Sequence, residues 1–223
     1  LETLVREMKK HNASIGACNV FSVYNSNWEK LKEKLKVAPT PSESVYKNNS
    51  QAVAEMFSGI TPLSCIGGVM MKRELIGNTR FSKDLFIGED FWFIYENVIK
   101  NADCVFLVKQ WYYARLHENN SSNDYSFDGF MTRFERRRLV WESEEKLGRS
   151  ENAKKQKLDG YDCFIRCFEQ NEPDSADVKK MRKILKEYKK DILPALSFKQ
   201  GIAYRMYIYT PKLIKFILKR KSR

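Results

Sequence analysis

Two adjacent carboxylates, Glu89 and Asp90, are the residues of this sequence best suited to chemistry. They follow Gly88, and the apolar residues after them recur at three- and four-residue steps, which predicts a helix. Carboxylates at the start of a helix are stabilised by its free N–H groups and its dipole, so one interpretation is a capped helix. The other is that one carboxylate faces a cleft and takes a proton from a substrate. The predicted buried face consists of Phe91, Ile94, Tyr95 and Val98.

A second polar group ends an aromatic segment that follows this helix. Residues 104–108 form a short apolar run that is typical of a strand. Residues 110–117 form an aromatic strand that ends in Arg115 and His117, and residues 118–123 form a polar turn. This succession of helix, strand, strand and polar loop predicts the edge of an α/β sheet.

Together the two motifs resemble the second half of the catalytic domain of family 2 glycosyltransferases, which are GT-A fold enzymes. The stretch G-E-D-F-x-F begins at Gly88, and the stretch Y-Y-x-R-x-H-E-N begins at Tyr112 and is followed by serines. The resemblance covers residues 1–123 and is strongest over residues 88–122. It implies an α/β fold class, with the C-terminal part of a GT-A type mixed sheet and flanking helices, followed by an all-α extension.

The resemblance implies an enzyme that moves a sugar from a nucleotide-diphosphate donor to an acceptor hydroxyl, with inversion, in cell-surface glycan or polysaccharide synthesis. The acceptor would be a glycan or a lipid-linked molecule. Such a transfer needs a base for the hydroxyl and positive charge for the leaving diphosphate. By resemblance, Asp90 is the base, and Glu89 beside it orients the acceptor or the loop.

By the same resemblance, Arg115 and His117 face the donor diphosphate or its metal, which would be Mn²⁺ or Mg²⁺. A neutral imidazole suits Mn²⁺, and a guanidinium suits phosphate oxygens. Ser121 and Ser122 are candidate donors to phosphate, and an extra asparagine in the H-x-N-S spacing leaves the choice between them open. Considered alone, His117 is best explained as a histidine at the end of a strand whose hydrogen bonds are satisfied in a turn. Its position after Glu89, Asp90 and Arg115, in the order found in the family, favours instead a role as a ligand of the diphosphate or its metal.

A glycine pair lies in residues 64–71, which predict a strand, and residues 72–77 predict a short helix. Gly67 and Gly68 either let a ligand approach the backbone closely or mark a bulge, and the sequence leaves both open. The family has a strand and a similar helix here, so the resemblance places the pair on the acceptor side. Its usual tryptophan or asparagine before the basic pair is replaced here by Gly-Gly-Val-Met-Met.

The sequence divides after residue 123. Residues 1–123 are predicted to be the acceptor-side part of a GT-A catalytic domain, and residues 124–223 a helical extension. In the first part we expect helices over residues 1–10 and 50–57, a buried strand over 14–24 and a charged segment over 25–44. In the second part we expect helices over residues 125–147, 154–170, 175–193 and 197–209, and a fifth that starts at Pro211.

The last residues, 211–223, carry six Lys or Arg, no acid and an apolar side. A short basic amphipathic helix of this kind predicts peripheral contact with an anionic membrane surface. Tyr204, Tyr207 and Tyr209 would then lie at the level of the lipid headgroups. The competing interpretation is a final helix that packs on the domain and leaves its charged end in water.

The formal net charge of +12 favours acidic partners, namely phosphates, anionic lipid surfaces or nucleic acid. We expect no nucleic-acid partner, because the aromatic residues recur at core spacings and no recognised nucleic-acid motif occurs. The alternative to an enzyme is a non-catalytic basic helical module that binds an anionic membrane surface or nucleic acid. Without a signal peptide or a membrane-spanning run, the expected location is cytoplasmic, peripheral on the inner face of the cell membrane.

Two absences complete the expectations from the sequence. Five cysteines without a C-x-x-C motif predict buried, reduced thiols, and only two histidines argue against a zinc site. No D-x-D acid pair occurs, and the donor-binding β-α-β units of the family, roughly 90 residues, have no counterpart in the sequence. We therefore expect the chain as given to be inactive alone, with the donor-binding half preceding Leu1 in a longer protein.

Overall fold

A computed structural model describes residues 1–24, 44–57, 63, 66–100, 102–117, 124 and 126–214. Within this range, the side chains of residues 21–24, 109–111, 115 and 116 lie outside the description. The chain forms two compact units, Leu1–Asn123 and Asp124–Arg223. The first is mixed α/β, which confirms the expected class at that level, and the second is helical wherever it has regular structure in the described part.

The first unit is built on a mixed sheet with four described strands, namely β1 (Ile15–Tyr24), β2 (Ser44–Lys47), β3 (Val69–Met71) and β4 (Cys104–Leu116). Their order in the sheet is β2-β4-β1-β3. β1 and β4 are parallel neighbours, β2 pairs antiparallel with β4, and β3 pairs antiparallel with β1. Parallel neighbours need a crossover connection, and the segment that joins β1 to β4 contains three of the helices of this unit.

The helices of the first unit follow the expected order along the chain. They are α1 (Glu2–Lys10), α2 (Asn49–Met56), α3 (Arg73–Ile76) and α4 (Glu89–Val98). α1 packs on the sheet through Leu4 and Met8, and Gly16 of β1 permits this approach, since a Cβ there would lie 2.7 Å from the sulfur of Met8. Asn48 begins α2 with a capping box, in which its side chain accepts from the backbone N–H of Gln51.

The expectation of two strands over residues 104–108 and 110–117 is wrong, because β4 continues through both. The register with β1 moves from Cys18 opposite Leu107 to Val20 opposite Tyr112, so β4 has three more residues than β1 across this bulge. Within it, the Asn19 side chain donates to the carbonyl oxygen of Val108 at 2.9 Å. The bulge absorbs the polar residues between the two apolar runs, and no turn is needed there.

The expected strand over residues 64–71 is also shorter than predicted. Gly67 and Gly68 lie in a 3-10 turn, Ile66–Gly68, and only Val69–Met71 pairs with β1. A Cβ on Gly68 would lie 2.8 Å from the carbonyl oxygen of Cys18, so the turn sits directly against β1 and its backbone cannot continue as an extended strand.

The second unit buries an aromatic and aliphatic core among its helices, with Phe134, Trp141, Phe168 and Tyr204 at its centre. Ser126, Ser175 and Ser197 cap three of the helices, each accepting from a backbone N–H three residues later. The helices are α5 (Phe127–Lys146), α6 (Ser150–Gln170), α7 (Ala176–Glu187), α8 (Lys189–Ile192) and α9 (Phe198–Tyr209).

Two expectations for the second unit are corrected. The helix expected over residues 175–193 is divided at Tyr188 into α7 and α8. It then passes into a 3-10 turn, Leu193–Ala195, where Pro194 has no N–H to continue the α-helical hydrogen bonds. Tyr204 and Tyr207 are buried, and Tyr204 donates its hydroxyl to Leu185 O, so neither reaches a lipid headgroup. Tyr209 is exposed.

The start of the basic tail is described and its end is not. Residues 211–214 are helical, and Ile214 joins the core of the second unit. The predictions for residues 215–223 lie outside the described residues. Cys18, Cys104, Cys163 and Cys167 are free thiols, as expected. In the parts of the chain that the structure covers, no helix combines the length and apolarity needed to cross a membrane.

Candidate functional site

The acid pair begins α4. Gly88 lies in the left-handed region, with φ 82° and ψ 19°, where a larger residue would be strained. Glu89 and Asp90 are the first two residues of the helix and are half-buried. Asp90 Oδ1 accepts from the N–H of Phe91 at 2.7 Å. Both carboxylates therefore sit on the positive end of the helix dipole and are partly accessible from solvent.

The predicted apolar face of α4 is confirmed. Phe91, Ile94, Tyr95 and Val98 are all buried. Because this face is packed along its full length, the opposite side of the first turn keeps a fixed direction.

The loop before α4 is fixed by apolar contacts. Leu85 and Ile87 are buried, and Phe81 stacks on Phe93 with ring centroids 4.3 Å apart. These contacts hold the chain that enters Gly88, so they position the acid pair from its N-terminal side.

A lysine ties the start of the same loop to the end of α4. The Nζ atom of Lys100 lies 3.3 Å from the carbonyl oxygens of Leu75 and Ile76, and it also contacts the Thr79 hydroxyl. A cation at the C-terminus of a short helix stabilises its free carbonyl groups. Sequence reasoning missed Lys100, because no local pattern links it to residues more than twenty positions away.

Asn49 and Asp103 fix the passage from α4 into β4. The Asn49 side chain donates to Val98 O at 2.6 Å, and its backbone N–H donates to Asp103 Oδ1 at 3.1 Å. Tyr46 donates to Asp103 Oδ2 at 2.6 Å. These hydrogen bonds join the end of α4 to the start of β4, the strand whose other end carries the second motif.

The second motif lies at the carboxyl ends of the two parallel strands. Val23 pairs with Arg115 and Tyr24 with Leu116, so β1 and β4 end side by side. His117 follows β4 and its side chain is exposed. In open α/β sheets, ligands bind outside the carboxyl ends of the strands, so this edge suits a site. The Arg115 side chain, Ser121 and Ser122 lie outside the described residues.

The glycine turn borders a cavity of about 280 Å³ between α1, β1 and β4. Tyr112 lines this cavity, and a Cβ on Gly67 would lie only 2.3 Å from the Cζ atom of the tyrosine ring. The turn also contacts α4. The structure therefore brings Gly67 and Gly68 together with Tyr112 and with the helix of the acid pair, and it places His117 after the end of β4.

Metal ligation is incomplete in the part of the chain that is described. No group of three or more His, Cys, Asp or Glu side chains converges there. His117 supplies one nitrogen, whereas Mg²⁺ and Mn²⁺ prefer several oxygen ligands. The described residues therefore do not form a complete site for either ion.

No protein family model matches the chain, and a sequence search finds no match among curated proteins. The resemblance to family 2 glycosyltransferases therefore depends on the two motifs and stays a prediction.

Proposed function

We propose that the first unit is the acceptor-side part of a family 2 glycosyltransferase of GT-A fold. It transfers a sugar from a nucleotide diphosphate to a hydroxyl of a glycan or lipid-linked acceptor. The supporting observation is the place of Asp90 in the first turn of α4, two residues after the left-handed Gly88. The same helix leads into β4, which runs parallel to β1.

In this reaction the oxygen of the acceptor hydroxyl attacks the anomeric carbon of the donor sugar, and Asp90 takes the proton of that hydroxyl. The bond from that carbon to the diphosphate breaks, and the electron pair leaves with the diphosphate, so the configuration inverts. General base catalysis of this kind contributes about 10²- to 10⁴-fold to a rate. Glu89 orients the acceptor or the loop, and Gly67 and Gly68 lie on the acceptor side.

Arg115 and His117 act on the leaving group. A guanidinium can form two parallel hydrogen bonds with phosphate oxygens, and a histidine can donate to or neutralise developing charge. Ser121 or Ser122 adds a further donor. Mn²⁺ or Mg²⁺ would belong to the complete enzyme and would stabilise the departing diphosphate when bound.

Replacement of Asp90 by Asn in the native protein tests the proposal. With a panel of nucleotide sugars, we expect the transfer rate to fall about a hundredfold or more, because the amide cannot accept the proton. Asp84→Asn is the matched control, since Asp84 is an exposed carboxylate in the loop before the same helix. Equal transfer rates for the two variants, or a native protein that transfers no sugar, would contradict the proposal.

A second candidate function, attachment to an anionic membrane surface, is favoured by the outer face of α9. Phe198, Ile202, Arg205 and Tyr209 lie at four-, three- and four-residue steps and therefore share one side of the helix. The side chains of Phe198 and Tyr209 are 83% and 58% exposed. An apolar and aromatic stripe left open to water marks an interaction surface.

The charges around this stripe select the partner. Arg205 lies within it, Lys199 follows its first residue, and the Nζ atom of Lys186 lies 5.8 Å from the centre of the Tyr209 ring. Aromatic residues bordered by cations suit the boundary between acyl chains and anionic headgroups. We therefore propose that this stripe binds an anionic lipid surface.

Sedimentation with phosphatidylglycerol vesicles tests this second function. Phe198→Ser combined with Ile202→Ser should reduce vesicle binding at least severalfold, because the buried apolar area is lost. Leu147→Ser is the control, since Leu147 is an exposed apolar residue outside the stripe. Unchanged vesicle binding, or salt-sensitive binding to duplex DNA instead, would favour the nucleic-acid alternative.

A further inference from the structure

A groove of about 250 Å³ lies between α5 and α6 in the helical unit. Cations outnumber carboxylates among its lining residues, and the sequence expectations assign no role to any of them. The charged residues that line it are Arg133, Arg136, Arg137, Asp159, Asp162 and Arg166.

The arginines converge because of their helical positions. Arg133, Arg136 and Arg137 are spaced by three and four residues, so they share one face of α5. Arg166 reaches the same groove from α6. Two helices thus present four guanidinium groups to one small volume.

Two of these guanidinium groups are held in place. Arg133 Nη1 donates to Asp124 O at 2.6 Å, and its Cζ atom lies 5.8 Å from the centre of the Phe130 ring. Arg137 Nη1 donates at 2.8 Å to the side-chain oxygen of Gln156, which is only 1% exposed. These contacts fix the orientation of two planar guanidinium groups, each of which carries five N–H donors. Such preorganisation lowers the entropy cost of binding a ligand.

The two carboxylates do not cancel the positive charge. Asp159 pairs with Arg137 at 3.2 Å. Burial and the nearby Asp159 raise the pKa of Asp162, while Arg166 opposes that shift.

The thiol of Cys163 lies close enough to the groove arginines for their positive charge to affect its pKa. Its side chain lines the groove and is half-buried. Burial raises the pKa of the Cys163 thiol, and positive charge from arginines of α5 acts in the opposite direction. The thiol therefore lies within the electrostatic reach of the arginine cluster.

We propose that the groove between α5 and α6 binds a phosphate or diphosphate group. Guanidinium groups match phosphate oxygens with paired, charge-assisted hydrogen bonds, and several around one cavity can satisfy more than one oxygen. A soluble phosphate ester and a phospholipid headgroup share this chemistry. The site belongs to the helical unit and does not depend on the sugar transfer proposed for the first unit.

The first test is a calorimetric titration of the full chain with pyrophosphate. Arg166→Gln should weaken binding about tenfold or more, because a charge-assisted hydrogen bond is lost. Arg166 is exposed, so the variant keeps its fold. Arg166→Lys should lose less, since it keeps the charge without the planar fork. Arg73→Gln removes the same charge from the exposed side of α3, to which no binding role is assigned, and should bind pyrophosphate like the wild type.

A change of opposite sign tests the electrostatic argument. Asp162→Asn removes a carboxylate from the groove and should strengthen pyrophosphate binding, whereas a merely structural groove would show no gain. Bound pyrophosphate should also slow the alkylation of Cys163 in mildly alkaline buffer, and mass spectrometry measures the extent of this reaction. Mass spectrometry of peptides measures the alkylation of Cys163 separately from that of the other cysteines, among which burial raises the pKa of Cys167 to about 11 and of Cys104 to about 12.

Phosphatidylglycerol vesicles distinguish the two sources of phosphate. Vesicle binding that Arg166→Gln weakens assigns the groove to a lipid headgroup. Pyrophosphate binding with unchanged vesicle affinity assigns it to a soluble phosphate. Absence of saturable binding to both probes, or an equal loss in Arg166→Gln and Arg73→Gln, would overturn the proposal.

Discussion

The ammonium group of Lys100, just after α4, lies 3.3 Å from the carbonyl oxygen of Ile76, the last residue of α3. The same ammonium group also donates to Asn97 Oδ1 at 3.2 Å. The contact closes residues 77–99 into a loop whose middle carries Gly88 and the two carboxylates. One surface cation therefore helps to position the candidate base from the far end of its helix.

Lys100→Met should lower the free energy of unfolding by about 1 kcal/mol, because the free carbonyl groups of α3 lose their cation. The same change should increase proteolytic cleavage in residues 77–87, where the loop loses its anchor. Urea denaturation and limited proteolysis measure the two effects. Lys83→Met is the control, since Lys83 is exposed within that loop. Equal behaviour of the two variants would contradict the anchoring role.

Gly67→Ala should destabilise the first unit by about 1 kcal/mol, because the new methyl group must displace the partly exposed ring of Tyr112. Tyr112→Ala in the same chain should recover part of that loss, since it removes the overlapping ring. A double-mutant cycle by urea denaturation measures the coupling. Additive effects would show that the ring is not what confines Gly67.

Two helical glycines should respond to alanine in opposite directions. A Cβ on Gly160 would lie 3.1 Å from the Trp141 ring, so Gly160→Ala crowds the core and should lower the melting temperature. A Cβ on Gly201 meets Leu193 at an ordinary 3.6 Å, so Gly201→Ala should stabilise α9 by about 0.5–1 kcal/mol. Thermal unfolding compares the two, and a shared sign would contradict the packing around them.

The stability contributed by Glu7 should depend on pH. Ser44 donates to Glu7 Oε2 at 2.8 Å, and this bond, aided by Arg6 and Lys10, holds the pKa of the Glu7 carboxyl below its usual value. A lowered pKa in the folded state means that the contribution is present above the unfolded value of about 4.5 and is lost as the pH falls through the folded pKa.

The comparison of Ser44→Ala with the wild type isolates this effect. The variant should have a lower urea midpoint near neutral pH, and the difference should shrink in acid, where Glu7 is protonated in both folded and unfolded chains. A difference that stays constant through the acid range would assign the role of Ser44 to packing.

The local patterns of the sequence predicted several elements well and their junctions less well. The helical period of α4 identified its buried residues, because one face of a helix is set by neighbours a few positions apart. The continuity of β4 could not be predicted in this way, since its bulge exists only where the strand pairs with β1.

The candidate site divides along the same line. The positions of Glu89 and Asp90 at a helix start follow from Gly88 and the apolar run after it. The contact between Gly67 and Tyr112, and the anchoring by Lys100, join residues that are distant in the chain, so no local pattern announces them. The arginine groove likewise requires the packing of α5 against α6.

The two halves of β4 have different numbers of neighbouring strands, so we expect their backbone amides to exchange hydrogen at different rates. Its first residues, Cys104–Leu107, are bonded to both β1 and β2, whereas residues 110–116 have only β1 beside them among the described strands. The first part opens only when the sheet opens, and the last part frays at a lower free energy. The end of β4 that leads to His117 can therefore rearrange around a ligand while the centre of the sheet stays intact.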